Sequence, residues 1–428
     1  MQKLIITFAL TVFGPLAFSQ TYFPPVSGSE WETVSPSEFN WCDEKIDTLI
    51  SYLESRNTKS FIILKGGRIA LEHYLGTFTA DSNWYWASAA KTLTATLTGA
   101  ALEDGDISLD DPVSQYLGEG WTDCTVAEET TRTIWHQLTM TSSFLNDSEL
   151  WDCVEPECFQ CTELEPGDEW HYHNGVYRRL IDVLEEATGL SRNFYTTQKI
   201  KTITGMQGLW VDQLYFSNTR SMARFGLLAQ ENFVWDGTPV LNNQEYISAM
   251  TTPSQDLNES YGYLWWLNGQ SSHMAPLVPF VSDGSIVPSA PDDMYAGMGA
   301  NEQRVYVVPS QDMVVVRMGE AAYDFSAAFS GFDPELWELI SDLECETVSV
   351  HSDPEKNSIQ IFPNPASGRV NIKAENADRV DVFTASGIKS NSIALNNASL
   401  EINLPAGMYF FQFIDRKGNI TTKKVVIY

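Results

Sequence analysis

Positive charge is scarce in this 428-residue chain: 26 lysines and arginines face 56 aspartates and glutamates, a formal net charge of −30. So anionic a chain repels nucleic acid and anionic membrane surfaces, which sets both aside as partners. Long apolar runs are missing too. Past the first twenty residues, nothing reaches the about 18 uninterrupted apolar residues of a membrane-spanning helix. No internal repeat or low-complexity tract occurs, which argues against solenoids and fibrous arrays. Histidine and cysteine number only six each. Cys158 and Cys161 form a C-x-x-C, but no second such pair exists to complete a zinc site.

What is present points to a folded, exported protein. Hydrophobic residues make up 43% and aromatics 12%, enough for a sizeable core and too much for a disordered chain. The length predicts more than one domain. The opening "MQKLIITFALTVFGPLAFSQ" has one lysine, an apolar run from Leu4 to Phe13 and small residues around Ala17 and Ser19. It reads as a secretory signal peptide, residues 1–19. Behind such a leader, the even set Cys42, Cys124, Cys153, Cys158, Cys161 and Cys345 predicts disulfides, with the pairing left open.

Composition changes near residue 350. From 358 to 428 there are eight Lys or Arg against five Asp or Glu. Short alternating runs such as "RVNIKA", "RVDVFTA" and "MYFFQFID" are separated by turn residues, which predicts a small all-β sandwich at 358–428 after a polar linker at 346–357. Residues 20–345 form the main domain. "DEKIDTLISYLESR" has helical periodicity, "FIILKGGRIALEHYLG" reads as a hairpin, and "RVYVVPSQDMVVVRMG" gives two more strands before the closing helix "PELWELISDLE". The order predicts an α+β fold: an antiparallel sheet flanked by helices, with a helical lobe.

The chemistry-bearing stretch is "WASAAKTLT", in which Ser88 and Lys91 stand three residues apart. On a helix that spacing puts both on one face. Partial burial lowers a lysine's pKa and turns it into a base for the serine. Further on, "WHYHNGVY" supplies Tyr172, able to relay a proton, and Asn174, able to orient a lysine or a substrate. His171 and His173 flank Tyr172, but no third metal ligand is evident, so they read as packing residues.

Together these segments resemble the β-lactamase-related serine hydrolases, which include class C β-lactamases, D-alanyl-D-alanine carboxypeptidases and esterases. "YWASAAKTLTATLTGAALEDGDISLDDPVSQYL", "TIWHQLTMTSSF", "HYHNGVYRRLIDVLEEATG", "FSNTRSMARFGLL" and "YGYLWWLNG" follow that family's order and spacing. The resemblance implies a β-lactamase/transpeptidase-like fold and an acyl-enzyme mechanism without metal or cofactor. It implies Ser88 as nucleophile, Lys91 as base, Tyr172 as proton relay and Asn174 as polar support, with the Ser88 backbone N–H as first oxyanion donor.

The chain departs from the family at the third motif, usually Lys-Thr-Gly or His-x-Gly. The equivalent stretch aligns Met298, Gly299 and Ala300 with it, and Asn301 with the second backbone donor. Cation and hydroxyl are both gone. The expectation is therefore hydrolysis of neutral esters or amides, ahead of a true β-lactamase or D-Ala-D-Ala carboxypeptidase. An inactive binding protein on the same fold is the alternative of another class, disfavoured because Ser88, Lys91, Tyr172 and Asn174 are all intact. The tail resembles the C-terminal sorting domain of type IX secretion, carried by "IFPNPASGRVNI", "VFTASG", "LPAGMYFFQF" and "KKVVIY". This implies export through the periplasm to the cell surface or medium, with the type IX machinery as a partner beside a small-molecule ester or amide substrate.

Overall fold

A computed structural model describes residues 21–323, 329–345, 359–374, 377–395, 399–415, 418 and 420–428. The expected signal peptide (1–19) and the expected linker (346–357) lie outside the described residues. Contacts divide the chain into two units, with the boundary after Cys345.

The first unit is built on a six-stranded antiparallel sheet. Its strand order is Arg68–Tyr74, Thr58–Lys65, Met313–Gly319, Gln303–Val308, Tyr295–Gly299 and Trp266–Leu267. The sheet joins the start and end of the unit, so Ile62 pairs with Val316 and Leu64 with Val314. Branched residues such as Val305, Val307, Val314 and Val316 are fully buried, as expected for strands covered on both faces. The helix Thr219–Gln230 packs on the two valine-rich strands. Gly226 makes that approach possible, because a Cβ there would lie 2.4 Å from a Val314 methyl. The first and last helices, Asp43–Ser55 and Phe332–Ser341, pack on each other.

The helical lobe centres on the helices Lys91–Asp104 and Asn174–Thr188, which are in contact. Every residue from Lys91 to Ala101 is buried. That run, "KTLTATLTGAA", is nearly all small, so the helix can sit in the middle of the unit. Its threonine hydroxyls satisfy themselves on the preceding turn: Thr96 donates to the Thr92 carbonyl and Thr98 to the Thr94 carbonyl, both at 2.9 Å. A small three-stranded sheet, Trp84–Tyr85, Leu214–Ser217 and Leu209–Val211, stands just before the Ser88 segment. Strands of two to four residues leave too little alternation to be seen in a sequence.

The second unit contains a three-stranded and a four-stranded antiparallel sheet. Val370, Ile372, Val380, Val382, Phe411, Phe413 and Val425 alternate into one core, the pattern expected of a sandwich.

All six cysteines are paired: Cys42 with Cys345, Cys124 with Cys161, and Cys153 with Cys158. Cys158 and Cys161 thus bond to different partners, so the C-x-x-C is neither a disulfide of its own nor half of a zinc site. Cys42–Cys345 closes a separation of 303 residues. It is reinforced where the Cys42 N–H donates to the Leu343 carbonyl at 2.9 Å and the Cys345 N–H to the Asn40 carbonyl at 2.7 Å. Cross-linking so long a loop restricts the unfolded chain most. Replacing both cysteines (Cys42→Ser with Cys345→Ser) is expected to cost about 2–5 kcal/mol of stability, read by denaturant titration of the exported protein. An unchanged midpoint would contradict this.

Candidate active site

Ser88 sits in a single 3-10 turn, Ala87–Ala90, and the α-helix begins only at Lys91. The sequence reading placed Ser88 at a helix start. The turn is tighter because the chain enters sharply: Ala87 has φ +47°, a conformation that costs a non-glycine residue of order 1 kcal/mol. The surroundings hold it there. Trp86 is fully buried, its N–H donates to the Tyr215 carbonyl at 2.9 Å, and its indole N–H donates to Ser217 Oγ at 2.8 Å. The strand Tyr295–Gly299 runs against the other side of the turn. A Cβ on Gly299 would lie 2.4 Å from the Trp86 carbonyl oxygen and 2.9 Å from the Ala89 nitrogen. Only glycine allows the strand to end so close to the serine.

Lys91 is 1% exposed. Its Nζ donates to Ser88 Oγ at 2.9 Å and to Asn174 Oδ1 at 2.6 Å. It lies 4.6 Å from the Tyr172 ring centre and 3.9 Å from that of Tyr177. Burial pushes its pKa well below the usual lysine value. The Arg178 cation adds to this, and the Asp152 carboxylate opposes it. Tyr172 is also buried. Desolvation raises the pKa of its phenol, and a hydrogen bond with Ser88 works the other way. At neutral pH the phenol holds its proton. The arrangement can therefore take a proton from Ser88 onto a neutral amine, with a protonated phenol beside the same hydroxyl.

Asn174 is the first residue of its helix. Its backbone N–H donates to the Trp151 carbonyl at 2.7 Å, and its Nδ2 donates to Asp152 Oδ1 at 2.8 Å. Tyr172 stacks on Trp266, with ring centres 5.8 Å apart and planes 18° apart. Trp265 instead packs in the core against Phe225 and Tyr295. His171 and His173 are buried, and desolvation lowers their pKa values to about 4 and about 3, so both are neutral. His136 packs on its own turn, its Nδ1 accepting from the Thr133 N–H at 3.1 Å.

Of the third-motif residues, Met298 is buried, Gly299 abuts the Ser88 turn, and Ala300 is exposed. Asn301 has φ +57°, and its Nδ2 donates to the Tyr85 hydroxyl at 2.6 Å. The carbonyls of this turn are all engaged from behind. Arg304 binds that of Gly299, Gln303 those of Ala300 and Asn301, and Arg317 those of Asn301 and Glu302. Sequence reasoning missed Asp152, Gln303 and Arg317, and missed that Arg304 is spent on Asp333 and the Gly299 carbonyl. Arg304 and Arg317 are charged positions inside strands that otherwise read as core, which was the available signal; Asp152 had none beyond lying in the cysteine-rich loop.

A family profile described as Beta-lactamase matches residues 47–329, and one described as Secretion system C-terminal sorting domain matches 360–428. A 6-aminohexanoate-dimer hydrolase of Paenarthrobacter ureafaciens is 31% identical over 75 residues, 18% of this chain; the match spans about a fifth (19%) of that relative's length. Among solved structures, a putative 6-aminohexanoate-dimer hydrolase from Bacillus anthracis superposes with a TM-score of 0.56 at 16% identity, covering 76% of this chain and 89% of that one. A putative β-lactamase from Bacteroides dorei DSM 17855 gives 0.53 at 16% identity, covering 71% and 99%. At these identities the superpositions establish the fold.

The buried lysine generates a stability prediction. A lysine whose folded pKa is depressed costs stability while the unfolded chain holds the extra proton. The cost is full below the folded pKa, shrinks as pH rises, and vanishes above the unfolded value. Lys91→Met, of similar shape and uncharged, is expected to raise Tm near pH 7 by roughly 2–4 °C. Thermal melts should show the gain diminishing toward about pH 10. A variant less stable than wild type near neutrality would contradict the assignment of a depressed pKa.

Proposed function

The chain belongs to the β-lactamase family of serine hydrolases and carries a secretion sorting domain, and from that premise we propose that it is an exported enzyme that hydrolyses neutral esters or amides through an acyl-enzyme on Ser88. The observation that carries the reading is the contact of Ser88 Oγ with the buried Lys91 amine at 2.9 Å. Lys91 takes the Ser88 proton as Oγ attacks the carbonyl carbon. Tyr172 shuttles a proton to the leaving group, and Asn174 holds the amine in place. The Ser88 N–H and a backbone N–H of the 299–301 turn receive the oxyanion. With its proton passed through Tyr172 to the leaving group, the amine takes a proton from water, whose oxygen attacks the acyl carbon; the Ser88 Oγ–acyl bond breaks and that proton returns to Ser88.

Two observations favour a neutral substrate. Arg304 touches the third motif, but it is 1% exposed and committed to Asp333 at 2.7 Å and to the Gly299 carbonyl at 2.6 Å. Buried and so committed, it is not placed to receive a substrate carboxylate. The segment 147–169, which contributes Trp151 and Asp152 to the site, carries nine Asp or Glu and no Lys or Arg. Such a rim repels anions. We also propose the working boundaries as 20–345 for the hydrolase and 358–428 for the sorting domain, with the latter uninvolved in catalysis.

The test uses purified protein with a short p-nitrophenyl ester, a chromogenic cephalosporin and a D-Ala-D-Ala peptide. The neutral ester should have the higher kcat/KM by some thousandfold, since an unpartnered buried carboxylate costs several kcal/mol. A fluorophosphonate should label Ser88, and Ser88→Ala should lose both labelling and turnover. A cephalosporin kcat/KM equal to that of the ester would overturn the substrate reading. A chain ending at Ser352 should keep full ester activity and fail to leave the periplasm of a host with type IX secretion. Loss of activity in that folded, shortened chain would return the tail to the catalytic unit.

A further inference from the structure

We infer that Asp152 is a positioning residue for the acyl-transfer site: its carboxylate sets the orientation of the Asn174 amide, so that the amide oxygen faces Lys91. The inference rests on the reading of Ser88 and Lys91 given above.

An asparagine amide has an acceptor end and a donor end, and the two are nearly the same shape. If the amide of Asn174 turned over, its NH2 would meet the Lys91 amine and one support of the base would be lost. The acceptor end takes the Lys91 proton at 2.6 Å, and the donor end points at Asp152 Oδ1 at 2.8 Å. An ionised carboxylate only accepts, so the pair is satisfied in one orientation alone. Asp152 is itself held from two sides. The Arg178 guanidinium donates to the same Oδ1 at 2.9 Å and also to the Asp152 backbone carbonyl.

The loop that carries Asp152 is fixed to the helix it serves. The Trp151 carbonyl receives both the Asn174 and the Gly175 N–H groups, at 2.7 and 3.3 Å. A Cβ on Gly175 would lie 2.2 Å from the Cys153 carbonyl oxygen, so the loop can come this close only to glycine. Cys153–Cys158 closes the loop immediately after Asp152, and Cys124–Cys161 ties down its return. The groups facing the Lys91 amine are the Ser88 hydroxyl, the Asn174 amide oxygen and the Tyr172 and Tyr177 rings. The charges acting on it are Arg178 and Asp152. Asp152 thus bears on the base twice, through the amide it orients and through its own charge.

The experiment measures kcat and KM for a neutral p-nitrophenyl ester across pH in wild type, Asp152→Ala, Asp152→Asn and Ser88→Ala, with Tm for each. Asp152→Ala should lower kcat by roughly ten- to hundredfold, as for other small misplacements of a catalytic group, with a much smaller change in KM. Asp152→Asn keeps an acceptor oxygen and should recover most of that loss. It lacks the negative charge that favours protonated Lys91. The acid limb of kcat/KM should therefore move to lower pH by about half a unit or more, a water-like dielectric giving the lower limit for a unit-charge interaction over several ångströms. Wild-type kcat and an unmoved limb in both variants, with Ser88-dependent hydrolysis intact, would overturn the inference. So would a loss in Asp152→Ala accompanied by a fall in Tm, no recovery in Asp152→Asn and an unmoved limb, which would make Asp152 a folding residue. Hydrolysis that persists in Ser88→Ala would overturn the underlying reading and this inference with it.

Discussion

A lysine held out of water beside a serine is the constraint around which the first unit is built. Lys91 is 1% exposed, and a cation so placed without a full counter-charge gives up its proton more readily than it would in water. Its surroundings reflect this. The partners within reach are a hydroxyl, an amide oxygen and two aromatic rings, with the nearest carboxylate one hydrogen bond further off. A carboxylate in direct contact would hold the proton on Lys91 and unfit it for the base role proposed for it. The amide of Asn174 accepts a hydrogen bond while carrying no charge of its own, and so can support the amine in either protonation state. The same burial explains the small residues of the helix that bears Lys91. Packed on all sides, it has room for Ala, Thr and Gly, and its hydroxyls must bond to their own backbone.

The third-motif turn meets a different requirement with similar means. A site for a developing oxyanion needs backbone N–H groups fixed in direction and carbonyls kept away. Between Gly299 and Glu302 the carbonyls are drawn back into the protein by Arg304, Gln303 and Arg317. Arg304 is anchored in turn by Asp333, with both side chains 2% exposed. A buried ion pair of this kind is poor evidence for stability, since desolvation offsets much of the attraction. The Arg304 donors to the Gly299 and Gln303 carbonyls are better understood as holding in place a strained turn, with φ +57° at Asn301 and +51° at Glu302. Committing Arg304 to this task removes it from substrate binding. The loss of the family's cation at Met298 is thus uncompensated at this strand.

The sequence was most legible where chemistry is local. Ser88 and Lys91 share one turn, and Tyr172 and Asn174 share another, so their types and spacing could be read directly. The long alternating or periodic segments were legible for the same reason, because burial of one face imposes a period on the sequence. What could not be read depends on contacts between distant segments. Asp152 lies 22 residues before Asn174, in a loop whose composition signals only exposure. Arg304 is a charge inside a strand that otherwise reads as core, and its commitment shows only once its partner Asp333 on the closing helix is placed. The disulfide pairing is likewise a property of three-dimensional proximity, and the C-x-x-C motif pointed away from it. The 3-10 turn at Ser88 follows from Trp86, Tyr215 and Gly299, and of these only Trp86 is a sequence neighbour.

The loop between Phe144 and Cys161 links the active site to the route the protein takes. It rests against Tyr172 and Asn174 through Trp151 and Asp152, and two disulfides close it. Its described secondary structure is slight, a single 3-10 turn at Pro156–Cys158 and an isolated bridge between Phe144 and Cys161. Backbone hydrogen bonds that are mostly local turns, with a run of carboxylates, would leave such a segment loose without cross-links. Disulfides persist outside the reducing cytosol, and the sorting domain directs the chain there. On the proposed roles, the support of the base would therefore be complete only in the compartment to which the chain is exported. With both bridges reduced, Ser88 and Lys91 would still face each other, but Asn174 would lack the fixed carboxylate proposed to orient it.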